Sequence, residues 1–167
     1  MSETITEKEL HRVVPTAIIY RKDPEKGLVY FIAKRSIHKK VMPGKWAVVG
    51  GGLSVDDYIN TPYSTEESKQ WYGSVERALK REVLEETNLD IGKPELLEDL
   101  TFIRPDGIPV LCLSYFAPYE RGEVKLDSDA TEYAWVTAEE AKDFDLIDGI
   151  LGEIQEVDKI LKSRNLS

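Results

Sequence analysis

Cysteine is nearly absent from this chain: of 167 residues only Cys112 carries a thiol, so no internal disulfide can form. Its setting, the apolar run Val110 to Phe116, makes a buried thiol the expected role. A chain that forgoes disulfides suits a reducing compartment. Long apolar runs are also missing, and none approaches the ~20 residues of a membrane span. The opening MSETITEKEL lacks the basic start and apolar core of a secretory signal, so the expected location is the cytoplasm, away from membranes. Positive charge is scarce as well. Lys and Arg number 22 against 31 Asp and Glu, a formal net charge of -9, which argues against the clustered basic surface that duplex nucleic acid requires. A polyphosphate ligand would have to find its positive charge locally, from divalent metal ions or a small basic loop.

What is present is ordinary globular composition, 41% hydrophobic and 32% charged, in a length that fits one domain spanning residues 1–167. RVVPTAIIY, from Arg12 to Tyr20, is rich in β-branched residues and predicts a strand. Leu28 to Ala33 predicts a second, joined to it by a turn containing Pro24 and Gly27. A basic loop from Arg35 to Lys45 leads to a short strand, Trp46 to Val49, which meets three consecutive glycines, Gly50, Gly51 and Gly52, expected to form a tight turn. Further strands are expected at Leu97 to Ile103, Val110 to Ala117 and Glu132 to Val136, and closing helices at Ala138 to Lys142 and Gly149 to Lys162. Residues 54–72 interrupt this order as an insertion. Ser64 to Glu67 resembles a capping box for a short helix within it. Its Tyr58, Tyr63, Trp71 and Tyr72 predict either a lid over a ligand or a small aromatic core of their own.

Ser74 to Thr87 is the most helical stretch, with Ser74 expected as N-cap and Asn88 suited to a left-handed residue past the end. At about 100° per residue, Val75, Ala78, Leu79 and Val83 share one arc, and Glu86 and Glu82 continue it rather than opposing it. Solvated glutamates would lie elsewhere on the wheel. Glu82, Glu85 and Glu86 also repel one another at i,i+3 and i,i+4 by roughly 0.2–0.5 kcal/mol per pair, and they oppose the helix dipole. A divalent cation would offset both costs. The plainer alternative is a charged helix end in which Arg81 pairs with Glu85. Leu84, on the far side of the wheel, suggests some cover there.

Glycine loop, helix, REVLEET, Asn88 and Leu89 in this order resemble the Nudix box, GX5EX7REUXEEXGU with U apolar. GKWAVVGGG from Gly44 to Gly52 is similar to the family's approach to the box, and EYAWV from Glu132 to Val136 to its late strand. The resemblance runs from about Val13 to Asp143 and implies an α/β fold, an α/β/α sandwich with a mixed β-sheet. Two positions depart from the pattern. Gly73 stands where the box glutamate falls when counted back from Arg81, and Asn88 stands where the box has glycine. Gly51 and Arg81 are 30 positions apart against the pattern's 14. Glu66 or Glu67 is a candidate to reach back and supply the missing acid.

The resemblance implies Mg²⁺, with Mn²⁺ as substitute, bound by Glu82, Glu85, Glu86 and the backbone carbonyl of Gly51, with Arg81 orienting the carboxylates. It implies a general base at Asp129, with Glu132 second; the basic cluster Lys34, Arg35, Lys39, Lys40 and Lys45 beside the glycines makes Arg35 the preferred phosphate contact, together with Gly51 and Gly52. Lys39 and Lys40 are expected to be solvated, His38 to lie at the surface and Trp46 to pack in the core. The implied activity is hydrolysis of a phosphoric anhydride in a nucleoside triphosphate or related nucleotide. ADP-ribose or nucleotide-sugar hydrolysis and a catalytically silent nucleotide sensor are the alternatives, and a homodimer is compatible with all of them. An isopentenyl diphosphate isomerase would need a cysteine motif that the surroundings of Cys112 do not supply.

Overall fold

The computed structural model describes residues 8–165, so most of the N-terminal stretch that bears on a leader lies outside the described residues. In chain order the elements are β1 (Arg12–Asp23), β2 (Gly27–Arg35), β3 (Trp46–Ala47), β4 (Val49–Gly50), α1 (Ser74–Thr87), β5 (Asp90–Ile91), β6 (Glu95–Ile103), β7 (Pro109–Arg121), β8 (Ala130–Val136) and α2 (Ile150–Ser163). Single 3₁₀ turns occupy Val55–Asp57 and Glu140–Asp143. Among the described residues no helix is long and apolar enough to cross a membrane.

The strands form one mixed sheet centred on β1. One edge of β1 runs parallel to β7, from Arg12 beside Val110 to Tyr20 beside Pro118. Its other edge is shared by two antiparallel partners, β4 at Thr16 and Ala17 and β2 from Tyr20 to Asp23. β6 extends the sheet beyond β7, and β8 and β3 extend it beyond β2. Because successive strand residues point to opposite faces, β1 and β2 feed two cores at once. Ile18, Tyr30 and Ile32 meet Ile154, Val157 and Leu161 of α2 on one face. Ala17, Ile19, Phe31 and Ala33 meet Leu79 and Val83 of α1 on the other. This is the expected α/β/α layering, and each fully buried Ile or Leu contributes on the order of 1.5–3 kcal/mol to it. Cys112 is buried, and Trp46 packs edge-on to Phe144 at 4.9 Å between ring centres.

Local expectations failed where the chain's own hydrogen bonds chose otherwise. Ser64 to Glu67 forms no helix; Thr65 Oγ1 bonds Ser68 Oγ at 2.8 Å and Thr65 bridges to Gln70, closing a turn. Ala138 to Lys142 makes only the 3₁₀ turn at Glu140–Asp143. Gly73, not Ser74, caps α1, and Leu84 is 47% exposed, so the far side of the helix is left open to solvent among the described residues. Strand β5, two residues long, was not visible as a pattern.

One buried acid gives a stability test away from the site. Glu153 of α2 is buried against the sheet, where its Oε2 accepts from Ser114 Oγ at 2.9 Å, and burial raises its pKa. An acid with a raised folded pKa favours the fold while protonated and loses that contribution as pH climbs from its unfolded value through the folded one. Glu153→Gln should therefore raise Tm more at pH 8 than at pH 5. Equal shifts in thermal melts at the two pH values would show that Glu153 is ionised in the fold at no cost.

Candidate active site

Helix α1 enters on Gly73 and leaves on Asn88, both left-handed, with φ of 72° and 60°. The Asn88 amide closes the end on the Leu84 carbonyl at 2.8 Å, the cap expected of asparagine. Ala78, Leu79, Val83 and Thr87 are its buried face. Glu82 and Glu86, one turn apart on the flank of that face, are thereby held against the glycine segment that follows β4.

That segment is extended rather than turned. The Gly51 amide donates to Pro15 O at 3.2 Å and the Leu53 amide to Val13 O at 2.9 Å, prolonging the pairing with β1. The glycines are needed for close approach. A Cβ on Gly51 would lie 2.2 Å from the Glu82 carboxylate, so any side chain there would push that carboxylate out of its present place. A Cβ on Gly50 would lie 2.3 Å from the Pro15 carbonyl oxygen.

Arg81 is the hub of the site. Its Nε and Nη2 grip both oxygens of Asp57 at 2.5 and 3.1 Å, and Nη2 also reaches the Gly52 carbonyl at 3.3 Å. Its Nη1 donates to Glu82 at 2.8 Å and Glu85 at 3.0 Å. The Asp57 side chain is only 3% exposed, so this is a buried, forked ion pair of the stronger kind. Arg81 holds the Asp57 carboxyl below its ordinary range, and Asp57 in turn raises the pKa of Arg81. Asp57 belongs to the 3₁₀ turn capped by Ser54, whose amide donates to Asp57 Oδ2 at 2.7 Å.

Asp57 corrects the expectation about the missing acid. Glu66 and Glu67 are exposed and take part in no ion pair among the described residues, and the brace comes from Asp57 instead. Asp57 follows Gly51 by six positions, the spacing of GX5E, so the signal was present when counted forward from the glycine. The extra residues lie after Asp57, between it and Arg81. Within them Tyr58 and Tyr63 pack on Trp71 at 5.2 and 4.7 Å, while Tyr72 stays 64% exposed. Arg77 pins the far end, donating to Tyr72 O at 2.8 Å and Ser74 Oγ at 3.0 Å.

Glu86 faces the cleft. Burial, with Glu82 and Asp127 adding repulsion, pushes its carboxyl up to about 7 against the opposing pull of the Gly50 amide, which donates to Oε2 at a long 3.4 Å. Arg35, Lys39, Asp127 and Asp129 line the same cleft. Asp127 was not anticipated; its amide donates to the Glu86 carbonyl at 3.1 Å and its Oδ1 accepts from the Asp129 amide at 2.8 Å. Only the fold shows this, since Asp127 lies on a loop far along the chain. Asp129 is ion-paired with Lys39, which is therefore not the solvated residue expected, and Glu132 pairs with Lys34 at 2.7 Å. Lys40 and His38 are exposed. Arg35 turns back on its own loop, giving Nε and Nη2 to Val41 O at 3.1 and 2.9 Å, and burial lowers its pKa. Among the described residues no three acidic, His or Cys side chains converge closely enough to grip a metal as placed, because Glu82 and Glu85 turn toward Arg81.

Comparison with known proteins bears on this geometry. The Nudix domain profile matches residues 10–151. The nucleoside triphosphatase NudI of Klebsiella pneumoniae (strain 342) is 29% identical over 127 residues, covering 70% of this chain and 79% of that protein. NudI of Escherichia coli (strain K12) is 28% identical over 131 residues with the same coverage, 70% and 79%. Among solved structures, the MutT protein from Methanosarcina mazei Go1 superposes with a TM-score of 0.65 at 21% identity, over 94% of this chain and 99% of that one. The Nudix domain of Shewanella oneidensis NrtR, complexed with ADP ribose, gives 0.67 at 16% identity, over 92% and 90%. Sharing at these identities speaks for the fold, while the profile match speaks for the family. With the profile covering most of the chain and the REVLEET helix held beside its glycine segment, this protein belongs to the Nudix family and is a Nudix hydrolase.

Proposed function

We propose that this enzyme hydrolyses a phosphoric anhydride bond of a nucleoside triphosphate or related nucleotide, with Mg²⁺ as its metal and Mn²⁺ as a substitute. The observation that carries the proposal is Glu86, a half-buried carboxylate at the cleft beside Glu82 whose side chain has, among the described residues, a single amide as hydrogen-bond partner at a long 3.4 Å. A desolvated, poorly partnered carboxylate needs a compensating charge. Hard carboxylate oxygens at a cleft suit Mg²⁺, which keeps several waters and shares its remaining positions with phosphates. Glu82, Glu86 and the Gly51 carbonyl would hold it, with Glu85 joining once released from Arg81. When bound, the ion supplies charge neutralisation for the leaving phosphate and a more acidic water.

The chain's own groups do the rest. Arg81, locked by Asp57, holds Glu82 and Glu85 at one side of the site, and Glu85 has to leave it to reach the ion. Arg35 and the Gly51–Gly52 segment would receive phosphate oxygens. Asp129 is the proposed base, with the Lys39 ion pair having to open for it to take a proton. The nucleoside triphosphatase relatives favour a triphosphate over ADP-ribose or a nucleotide sugar. Asp57 also removes the motive for a silent sensor, since the brace whose loss suggested that alternative is in place.

A panel of nucleoside triphosphates, ADP-ribose and nucleotide sugars, assayed with Mg²⁺ and resolved by product, tests the substrate. Fastest turnover on ADP-ribose or a sugar nucleotide would replace the triphosphate proposal. Exhaustive chelation should abolish turnover and added Mg²⁺ or Mn²⁺ restore it, since a chain of net charge -9 has little fixed positive charge for a polyphosphate. Full activity in chelator would sink the metal assignment.

A further inference from the structure

We propose that Arg12 is a substrate contact, a cation that grips a phosphate of the nucleotide from the side of the glycine segment opposite the glutamates. The proposal rests on the nucleotide hydrolysis proposed above and names a residue that neither motif nor spacing marks. Among the described residues the exposed side chain of Arg12 takes part in no ion pair or hydrogen bond, whereas every other arginine side chain has a protein partner, a carboxylate, a carbonyl or an aromatic face. In a chain with 31 acidic side chains an unpartnered guanidinium asks for a reason.

Its position supplies one. The guanidinium lies flat against Gly52: a Cβ built there would meet Nη2 at 2.6 Å, Cζ at 2.9 Å and Nε at 3.1 Å. Gly51, one residue earlier and ~3.8 Å away along the backbone, is covered by the Glu82 carboxylate in the same manner. Adjacent residues of an extended segment face opposite sides, so the segment separates the acidic cluster from a bare cation. Beyond Arg12 the sheet row continues through Val110 of β7 to Phe102 of β6, two apolar side chains that leave the charge unneutralised. A polyphosphate lying across the glycine backbone would have one phosphate over Glu82 and Glu86 and another within reach of Arg12. The planar donor fork of arginine matches phosphate oxygens.

Gly52 offers a second way to disturb the same contact. Its φ is not in the left-handed range, so alanine is tolerated by the backbone, and the added methyl group pushes aside only the flexible end of Arg12. Arg12→Ala is expected to raise KM for a nucleoside triphosphate about 10-fold while kcat changes by less than about 3-fold, the size of one charge-assisted contact made equally in ground and transition states. Gly52→Ala should reproduce the effect, and the double variant should be no worse than the worse single one. Arg12→Lys should fall between wild type and Arg12→Ala. Calorimetric titration of a non-hydrolysable triphosphate analogue in the presence of Mg²⁺ should show the same weakening, and titration of the unphosphorylated nucleoside should show none. Unchanged KM and analogue affinity in an Arg12→Ala protein with wild-type melting overturns the inference. So does equal loss of nucleoside binding, which would place Arg12 on the base, and so do fully additive losses in the double variant. The broader reading fails separately, through a Glu86→Gln enzyme that stays active.

Discussion

Glu86→Gln is expected to lower turnover at least ~100-fold while the protein melts at or above the wild-type temperature. The substitution keeps the shape of the side chain and removes one charge from the proposed metal site, where carboxylates fix the ion that stabilises charge in the transition state. The fold should not suffer. Glu86 is half-buried, and its carboxyl is pushed up to about 7 by desolvation and by Glu82 and Asp127, so a neutral amide relieves a cost rather than adding one. The Gly50 amide retains an acceptor in the glutamine oxygen. Steady-state kinetics with saturating Mg²⁺, beside a thermal melt, decide it: activity within about 3-fold of wild type would remove Glu86 from the metal site, and a large fall in Tm would mean that lost folding explains the loss of turnover.

Asp57→Ala should be the most damaging change outside the helix. It leaves the Arg81 guanidinium with half of its fork unpaired in a setting where the Asp57 side chain was 3% exposed. The stability loss should be well below the cost of a fully buried unpaired charge, about 1–2 kcal/mol, because Arg81 is 33% exposed and keeps Glu82 and Glu85 as partners. Arg81 would then turn more fully onto Glu82 and Glu85, competing with any metal for them, so turnover should drop roughly 10- to 100-fold even where the protein remains folded. Asp57→Glu, which keeps the charge on a longer arm, should recover part of both losses. Glu66→Ala and Glu67→Ala should stay within about 2-fold of wild type, since neither side chain touches the brace. Denaturant melts and kinetics on the four variants check the assignment; a Glu66 or Glu67 variant as impaired as Asp57→Ala would return the brace to the middle of the insertion.

The REVLEET helix, its Asn88 cap and the strands feeding both cores were legible because each is a local pattern: helical periodicity, a residue suited to the left-handed region, β-branched alternation. The family resemblance came from the same short range. Asp57 was legible in principle, six positions after Gly51, and was missed by counting back from Arg81 across an insertion of unknown place. Local signals also misled. The Ser64 capping pattern had no helix to cap, and the glycines that suggested a tight turn instead let the Glu82 carboxylate and the Arg12 guanidinium come against the backbone from opposite sides. Motif and periodicity by themselves determined most of the strands and the helix that carries the carboxylates, since those depend on residues near in sequence, while the layering was implied by the family resemblance. Which partners the side chains take was decided by the tertiary structure alone: Asp57 on Arg81, Asp127 beside Glu86, Arg35 turned to Val41, Lys39 on Asp129 and Arg12 left bare. Such pairings join residues distant along the chain, and their distances exist only once the sheet has brought the loops to one end.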